Sequence, residues 1–218
     1  MSQSNNQMDI LEFATAATKW IESNFKIILG LCVVALVGGS VFAFTNAQAK
    51  QAEKQAFDEL YEITKIYDKK KAEYDEAEEK EKAPKPKDKK QEQAEKDQMK
   101  DLKKATGKID VDYPEVVPKL EQYLQSHQGM NAAGEAALVL SEIYDTYKMP
   151  DKGAEALSGV LKSWGEKNVL YFVMQMRVGD LYASSSDCEK AVSYWQVVAD
   201  SKSFFARQAQ LKLGVCLQ

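Results

Sequence analysis

The sequence predicts an all-α protein: one membrane-crossing helix followed by a solenoid of paired amphipathic helices. Three observations predict it. The stretch from Ile27 to Ala49 contains no charged side chain. From Ile109 onward apolar residues recur every three or four positions, the period that places them on one helix face. No segment of strand length alternates apolar with polar residues at period 2.

Taken in order, residues 1–26 precede the apolar stretch and carry Ile10, Leu11, Phe13, Ala14, Ala17, Trp20, Ile21 and Phe25 at helical spacing. That pattern fits an interfacial helix leading into a span. Residues 27–49 are the predicted transmembrane helix. Its almost wholly apolar part, Ile27 to Phe44, at ~1.5 Å per residue approaches the roughly 30 Å of a bilayer core. Lys26 and Lys50 bracket it, where long side chains can reach headgroups. Ala35, Gly39 and Ala43 recur at a constant helical step, a small-residue face that permits close approach of a second membrane helix. A competing reading is a cleavable leader, because Ala47-Gln48-Ala49 fits a small-x-small site; the length of the apolar run and the patterned segment before it argue against that.

Residues 50–68 read as a first amphipathic helix with Ala52, Ala56, Phe57, Leu60, Ile63 and Tyr67 on one side. Residues 69–108 form a charged insertion, the bulk of a block from Lys65 to Lys108 in which charged side chains are the majority. Such a block cannot bury a core, and it reads as an exposed helical hairpin broken at Pro84 and Pro86 or as a solvated linker. Residues 109–218 make the helical domain, with helices expected at 114–126, 131–147, 151–164, 169–184, 187–199 and 204–217. Asn131, Asp151 and Asn168 are placed to cap first turns, Ser186-Asp187-Cys188-Glu189 has capping-box spacing, and Gly129, Pro150 and Gly165 mark breaks.

Composition narrows the chemistry. There is one histidine, His127, arginine occurs only at Arg177 and Arg207, and the net charge is −4, so no concentrated basic footprint for nucleic acid is present. Three cysteines without C-x-x-C spacing do not make a zinc site, and no glycine-rich loop follows a strand. No catalytic constellation, metal site, cofactor or small-molecule substrate is expected. The reading is a binding protein.

The helices repeat in pairs. Val178, Gly179, Tyr182, Ala191, Trp195 and Val198 are echoed at a nearly constant offset by Leu140, Ser141, Tyr144, Ala154, Leu157 and Val160, and Leu213-Gly214 follows Val178-Gly179 at a similar one. This resembles a degenerate tetratricopeptide repeat, in which small residues let paired helices approach while aromatic ones fill the space beside them. Together with Thr18-Lys19-Trp20-Ile21-Glu22-Ser23-Asn24-Phe25-Lys26, the single apolar helix and the alanine-rich helix after it, the order resembles the YfgM-like ancillary subunits of the bacterial Sec translocon. The resemblance covers Asp9 to Asp68 and Ile109 to the end; residues 69–108 have no counterpart in it.

It implies a single-pass inner-membrane protein with a cytoplasmic N terminus and a periplasmic C-terminal domain, binding the Sec translocon and passing exported polypeptides to chaperones such as PpiD. A scaffold subunit of another envelope complex is the alternative. Carried over from the repeat, the concave binding groove is expected at Glu135, Leu138, Glu142 and Asp145, then Val173, Met176, Asp180 and Ala183, then Gln208 and Leu211. Flank charges leave orientation open, since Lys19 and Lys26 face Lys50 and Lys54. The cysteines speak to it instead. Cys188 opens one helix and Cys216 closes the next, both equally far in sequence from a turn near Lys202, so an antiparallel hairpin brings them together as a disulfide, which persists in an oxidising compartment. Cys32 is expected to stay a free thiol.

Overall fold

Every amphipathic run predicted from 109 onward folds as a helix, and no strand occurs among the described residues. The computed structural model describes residues 5–82 and 103–216; within the first helix the side chains of 5–12, 14, 16, 17, 21, 22, 28 and 31–34 are not described. Among the described residues the helices are α1 (Asn5–Lys82), α2 (Ile109–Asp112), α3 (Val116–Ser126), α4 (Asn131–Thr146), α5 (Pro150–Leu161), α6 (Tyr171–Ser184), α7 (Cys188–Ala199) and α8 (Ala206–Cys216). The chain divides into two compact units, Met1–Ala52 and Glu53–Gln218.

In the first unit the described side chains from Ala35 to Lys50 are exposed, among them Leu36, Val37, Val41, Phe42 and Phe44. The small face of Ala35, Gly39 and Ala43 is likewise open, with nothing within 4 Å of a Cβ built on Gly39. Among the described residues no helix is long and apolar enough to cross a membrane. Positions 28 and 31–34 of the expected span, Cys32 included, lie outside the described side chains.

The second unit opens with the C-terminal part of α1, which runs on past Asp68 to Lys82. The charged insertion therefore begins later than its composition indicates. The reason is local: Tyr74 is half-buried and Ala77 buried, so the early part of the block still has an apolar side. Ala56, Leu60, Ile63 and Tyr67 of α1 share a core with Val116, Leu120 and Tyr123 of α3 and Ala132, Ala136, Leu140, Ile143 and Tyr144 of α4. Tyr123 donates its hydroxyl to the Ala56 carbonyl at 2.6 Å, and the Glu53 carboxylate accepts the free Ala132 amide of α4 at 2.9 Å. A second core joins α4 to α8 around Leu157, Met174, Val178, Leu181, Trp195 and Val198.

The hairpins α4–α5 and α6–α7 repeat each other at one uniform offset, which carries Tyr144 to Tyr182 and Lys148 to Ser186. Lys148 and Ser186 both adopt positive φ, 61° and 65°, and the amides that follow close the same turn, Met149 onto the Tyr144 carbonyl at 2.8 Å and Asp187 onto the Tyr182 carbonyl at 2.9 Å. This register corrects one expected pairing. The counterpart of Ala191 is Gly153 rather than Ala154, and a Cβ on Gly153 would meet the Ser141 backbone at 3.1 and 3.2 Å. Gly214 has no neighbour within 4 Å of an added Cβ, so Leu213-Gly214 does not repeat the Gly179 packing.

The caps differ in part from expectation. Asp187 caps α7 by accepting the Lys190 amide, while Ser186 occupies the left-handed turn and no capping box forms. Asn168 accepts the Leu170 amide. Asn131 instead accepts the Asn168 side-chain amide, and Asp151 accepts the Ser185 hydroxyl; both sit inside their helices, where first-turn capping is out of reach.

Candidate interaction surface

The expected groove residues fall on α4, α6 and α8. Glu135, Gln208 and Leu211 are exposed, Leu138, Val173 and Ala183 are half-buried, and Met176 is only 6% exposed. Met176 therefore packs in the core instead of offering an adaptable surface, because the α6 face that carries it is covered on both sides by neighbouring hairpins.

Three of the four acidic members, Glu142, Asp145 and Asp180, each lie against a cation from a neighbouring first helix. Lys71 of α1 bonds Glu142 of α4, Arg177 of α6 pairs with Asp145 of α4 at 3.0 Å, and Lys212 of α8 pairs with Asp180 of α6 at 2.8 Å. The hydrogen bond that Lys71 donates to the Glu142 carboxylate raises the Lys71 pKa to about 12. Asp180 also accepts the Trp195 indole N–H at 3.1 Å. The face is thus a ladder of neutralised pairs stitching successive first helices, not an open acidic groove. Because the pairs are partly exposed, each contributes at most about 1 kcal/mol; their effect is on register and surface charge. A signal of this ladder lies in the sequence: Arg177 follows Asp145 at the same separation as Lys212 follows Asp180.

His127 stacks on Tyr123 with centroids 4.1 Å apart, and its Nε2 lies 3.5 Å from a Glu59 oxygen, as suits a helix terminus. Among the described residues no group of three or more His, Cys, Asp or Glu is placed to hold a metal ion. Cys188 and Cys216 are joined as a disulfide with Cα atoms 5.6 Å apart, clamping the start of α7 to the end of α8.

Among the described residues of the helical domain two concavities stand out. One, of about 790 Å³, lies between α1 and α3, where lysines such as Lys65, Lys69 and Lys119 alternate with Glu59, Glu62 and Glu73 over Ile63 and Ile66. The other, of about 880 Å³, lies between α3 and α5 with Leu140 and Tyr144 of α4 beneath it. Sequence reasoning missed the second, since the repeat resemblance directs attention to the first helices of each pair and this groove opens between second helices. The signal available was a substitution within the repeat: at the hairpin offset, Ala156 stands where Tyr194 stands in the next hairpin.

In comparisons with known proteins, no family model, no curated protein and no solved structure matches this chain.

Proposed function

We propose that the chain is a membrane-anchored protein-interaction module, an ancillary subunit of the bacterial Sec translocon that passes exported polypeptides to periplasmic chaperones such as PpiD. In this reading the N terminus is cytoplasmic, the span lies within 27–49, and the helical domain from Glu53 onward faces the periplasm. The repeats are tetratricopeptide-like. The observation that carries the reading is the joining of an uncharged apolar run, Ile27 to Phe44, to repeated helical hairpins within one chain. A helix whose apolar side chains point outward on all sides calls for an apolar surrounding, and Val37, Val41, Phe42 and Phe44 are such side chains. The hairpin array offers extended surfaces for a polypeptide partner, and the disulfide suits an oxidising compartment.

Neutralisation of Glu142, Asp145 and Asp180 by the chain's own cations favours a second reading, a scaffold subunit of another envelope complex, because it removes three of the four acidic charges expected to recruit a basic client. One experiment separates them. A photo-crosslinking residue placed at Leu138 or Leu211 is expected to capture a translocon subunit, a nascent exported chain or a chaperone. Adducts solely with a different envelope complex would replace the translocon reading by the scaffold one. Release of the chain from membranes by carbonate would overturn the anchored reading altogether.

A further inference from the structure

We propose that the end of the helical domain at which its first helices begin is a lipid-contacting edge: Val169 and Phe204, at the tips of the α5–α6 and α7–α8 loops, enter the interfacial region of the bilayer that holds the chain's own apolar run.

Phe204 is 94% and Val169 86% exposed, the two highest values among the large apolar side chains described. They occupy equivalent places. Lys167-Asn168-Val169-Leu170 and Lys202-Ser203-Phe204-Phe205 recur at the offset that carries Val178 to Leu213. In each, the lysine and the apolar tip are exposed, while the residue after the tip, Leu170 or Phe205, is half-buried against the core and holds the loop in place. Both loops lie at one end of the domain. Asn168 donates its side-chain amide to Asn131 at the start of α4. The disulfide ties the start of α7 to the end of α8, so α8 begins beside the end of α7, where α6 of the antiparallel α6–α7 hairpin also begins. The start of α4 is, in addition, where the chain enters the domain, since the Glu53 carboxylate accepts the Ala132 amide at 2.9 Å.

What covers these tips follows from what is joined to that end. The almost wholly apolar run closes at Phe44, and the connection from Phe44 to Glu53 spans at most about 30 Å even fully extended. By connectivity alone, then, the edge stays within reach of any bilayer that holds the run. Neither concavity of the domain is lined by Val169 or Phe204, and two protruding tips at one edge can bury themselves in a fluid lipid surface without matched pockets opposite them. Lys167 and Lys202 have no ion pair among the described residues; standing just before the tips, their stems can lie along the apolar surface while the ammonium groups reach phosphates. The two loops carry Lys162, Lys167, Lys202 and Arg207 against Glu166 and Asp200, an excess offset by Glu53 and Glu59 of α1 at the same end. Apolar contact, not net charge, therefore selects the bilayer.

The inference rests on the membrane-anchored reading but not on which complex the chain serves. The test uses the full chain reconstituted in vesicles of phosphatidylcholine with a minor share of phosphatidylglycerol. The photo-crosslinker p-benzoylphenylalanine is placed at one position at a time: Val169, Phe204, Phe42 in the apolar run, or Met149, an exposed residue in the turn at the other end of α4. Mass analysis after illumination is expected to show lipid adducts at Phe42, Val169 and Phe204, with yields at the two tips at least about fivefold above that at Met149. Phe204→Glu, a change at a bare position, should lower the yield at Val169 at least about threefold, because one tip then no longer holds the edge to the surface. Adducts at Phe42 with none above the Met149 level at the tips would keep the anchored reading and overturn this inference. Crosslinks from Phe204 to a second copy of the chain in place of lipid would overturn it as well, as would an unchanged yield at Val169 in Phe204→Glu. Absence of adducts at Phe42 and at both tips would overturn the anchored reading together with the inference.

Discussion

Asp112 is 1% exposed, and an isolated buried carboxylate would be costly. It is instead enclosed by donors: the Thr106 amide and hydroxyl, the Gly107 amide and the Tyr147 hydroxyl, all within 3.1 Å. Gly107 makes this possible, since its φ of +75° turns two successive amides toward one oxygen pair. Burial pushes the carboxyl pKa up, but the bonds from Thr106, Tyr147 and Gly107 outweigh it and hold the value below the ordinary one. A group depressed in the folded state stabilises the fold above its unfolded pKa of about 3.9 and loses that contribution as pH falls through and below it. Asp112→Asn, which replaces one acceptor oxygen by a donor, should cost about 1–3 kcal/mol near neutrality and flatten the acid limb. Urea unfolding from pH 3 to 7 checks both; parallel acid limbs in the two proteins would remove Asp112 as the cause. Gly179 poses a steric question of the same size. A Cβ there would lie 2.3 Å from Trp195 Nε1 and 2.5 Å from Cδ1, and Trp195 is held in place by Asp180. Gly179→Leu should therefore lower stability by roughly 1–3 kcal/mol or more, read as a lower thermal midpoint, while an unchanged midpoint would mean that the ring swings aside without cost.

Among the elements, the charged insertion is the one whose removal is most informative. Its flanks are close together: Lys104 pairs with Glu81 at 3.0 Å, Lys70 and Tyr74 of α1 donate to the Asp112 carbonyl, and Tyr113 packs against Tyr67 and Tyr74. Replacing residues 83–102 by a four-residue Gly-Ser linker, which spans up to about 13 Å, should leave the midpoint of the helical domain within about 2 °C of the full chain. A loss of cooperative unfolding would show that the insertion is part of the fold. Sequence periodicity located the helices from 114 onward to within a few residues, because each has one apolar side and a glycine, proline or polar break after it. It stopped the first helix too early, since Tyr74 and Ala77 are sparse apolar positions in a charged run. For the candidate surface, the positions on α4, α6 and α8 were legible from the repeat, but their charge state was not. Lys71, Arg177 and Lys212 reach their acidic partners through tertiary packing that no local pattern encodes. The α3–α5 cavity was hidden for a related reason: it is defined by a ring that is missing from one repeat and present in the next.

At the scale of the whole molecule, α8 leaves Leu211 and Val215 exposed, at 69% and 77%, with Ala209 and Leu213 as its buried residues. So small a buried face gives α8 little hold of its own. The bond between Cys188 and Cys216 closes a loop over a sequence separation of 28, which in the loop-entropy model restricts the unfolded chain by roughly 3–4 kcal/mol. Replacing both cysteines by serine should lower the stability of the domain by up to that amount, with the largest loss of amide-exchange protection in α8. The same bond reports on topology. A structural disulfide accumulates in the periplasm and is kept reduced in the cytosol, so its state in protein taken directly from cells assigns a compartment to the helical domain where the lysines flanking the proposed span do not. Membranes quenched with a thiol alkylator before lysis, then analysed by mass without reductant, are expected to show Cys188 and Cys216 unlabelled and linked. Alkylation of both would place the domain in a reducing compartment, reverse the proposed orientation, and with it remove the periplasmic chaperones from the set of partners.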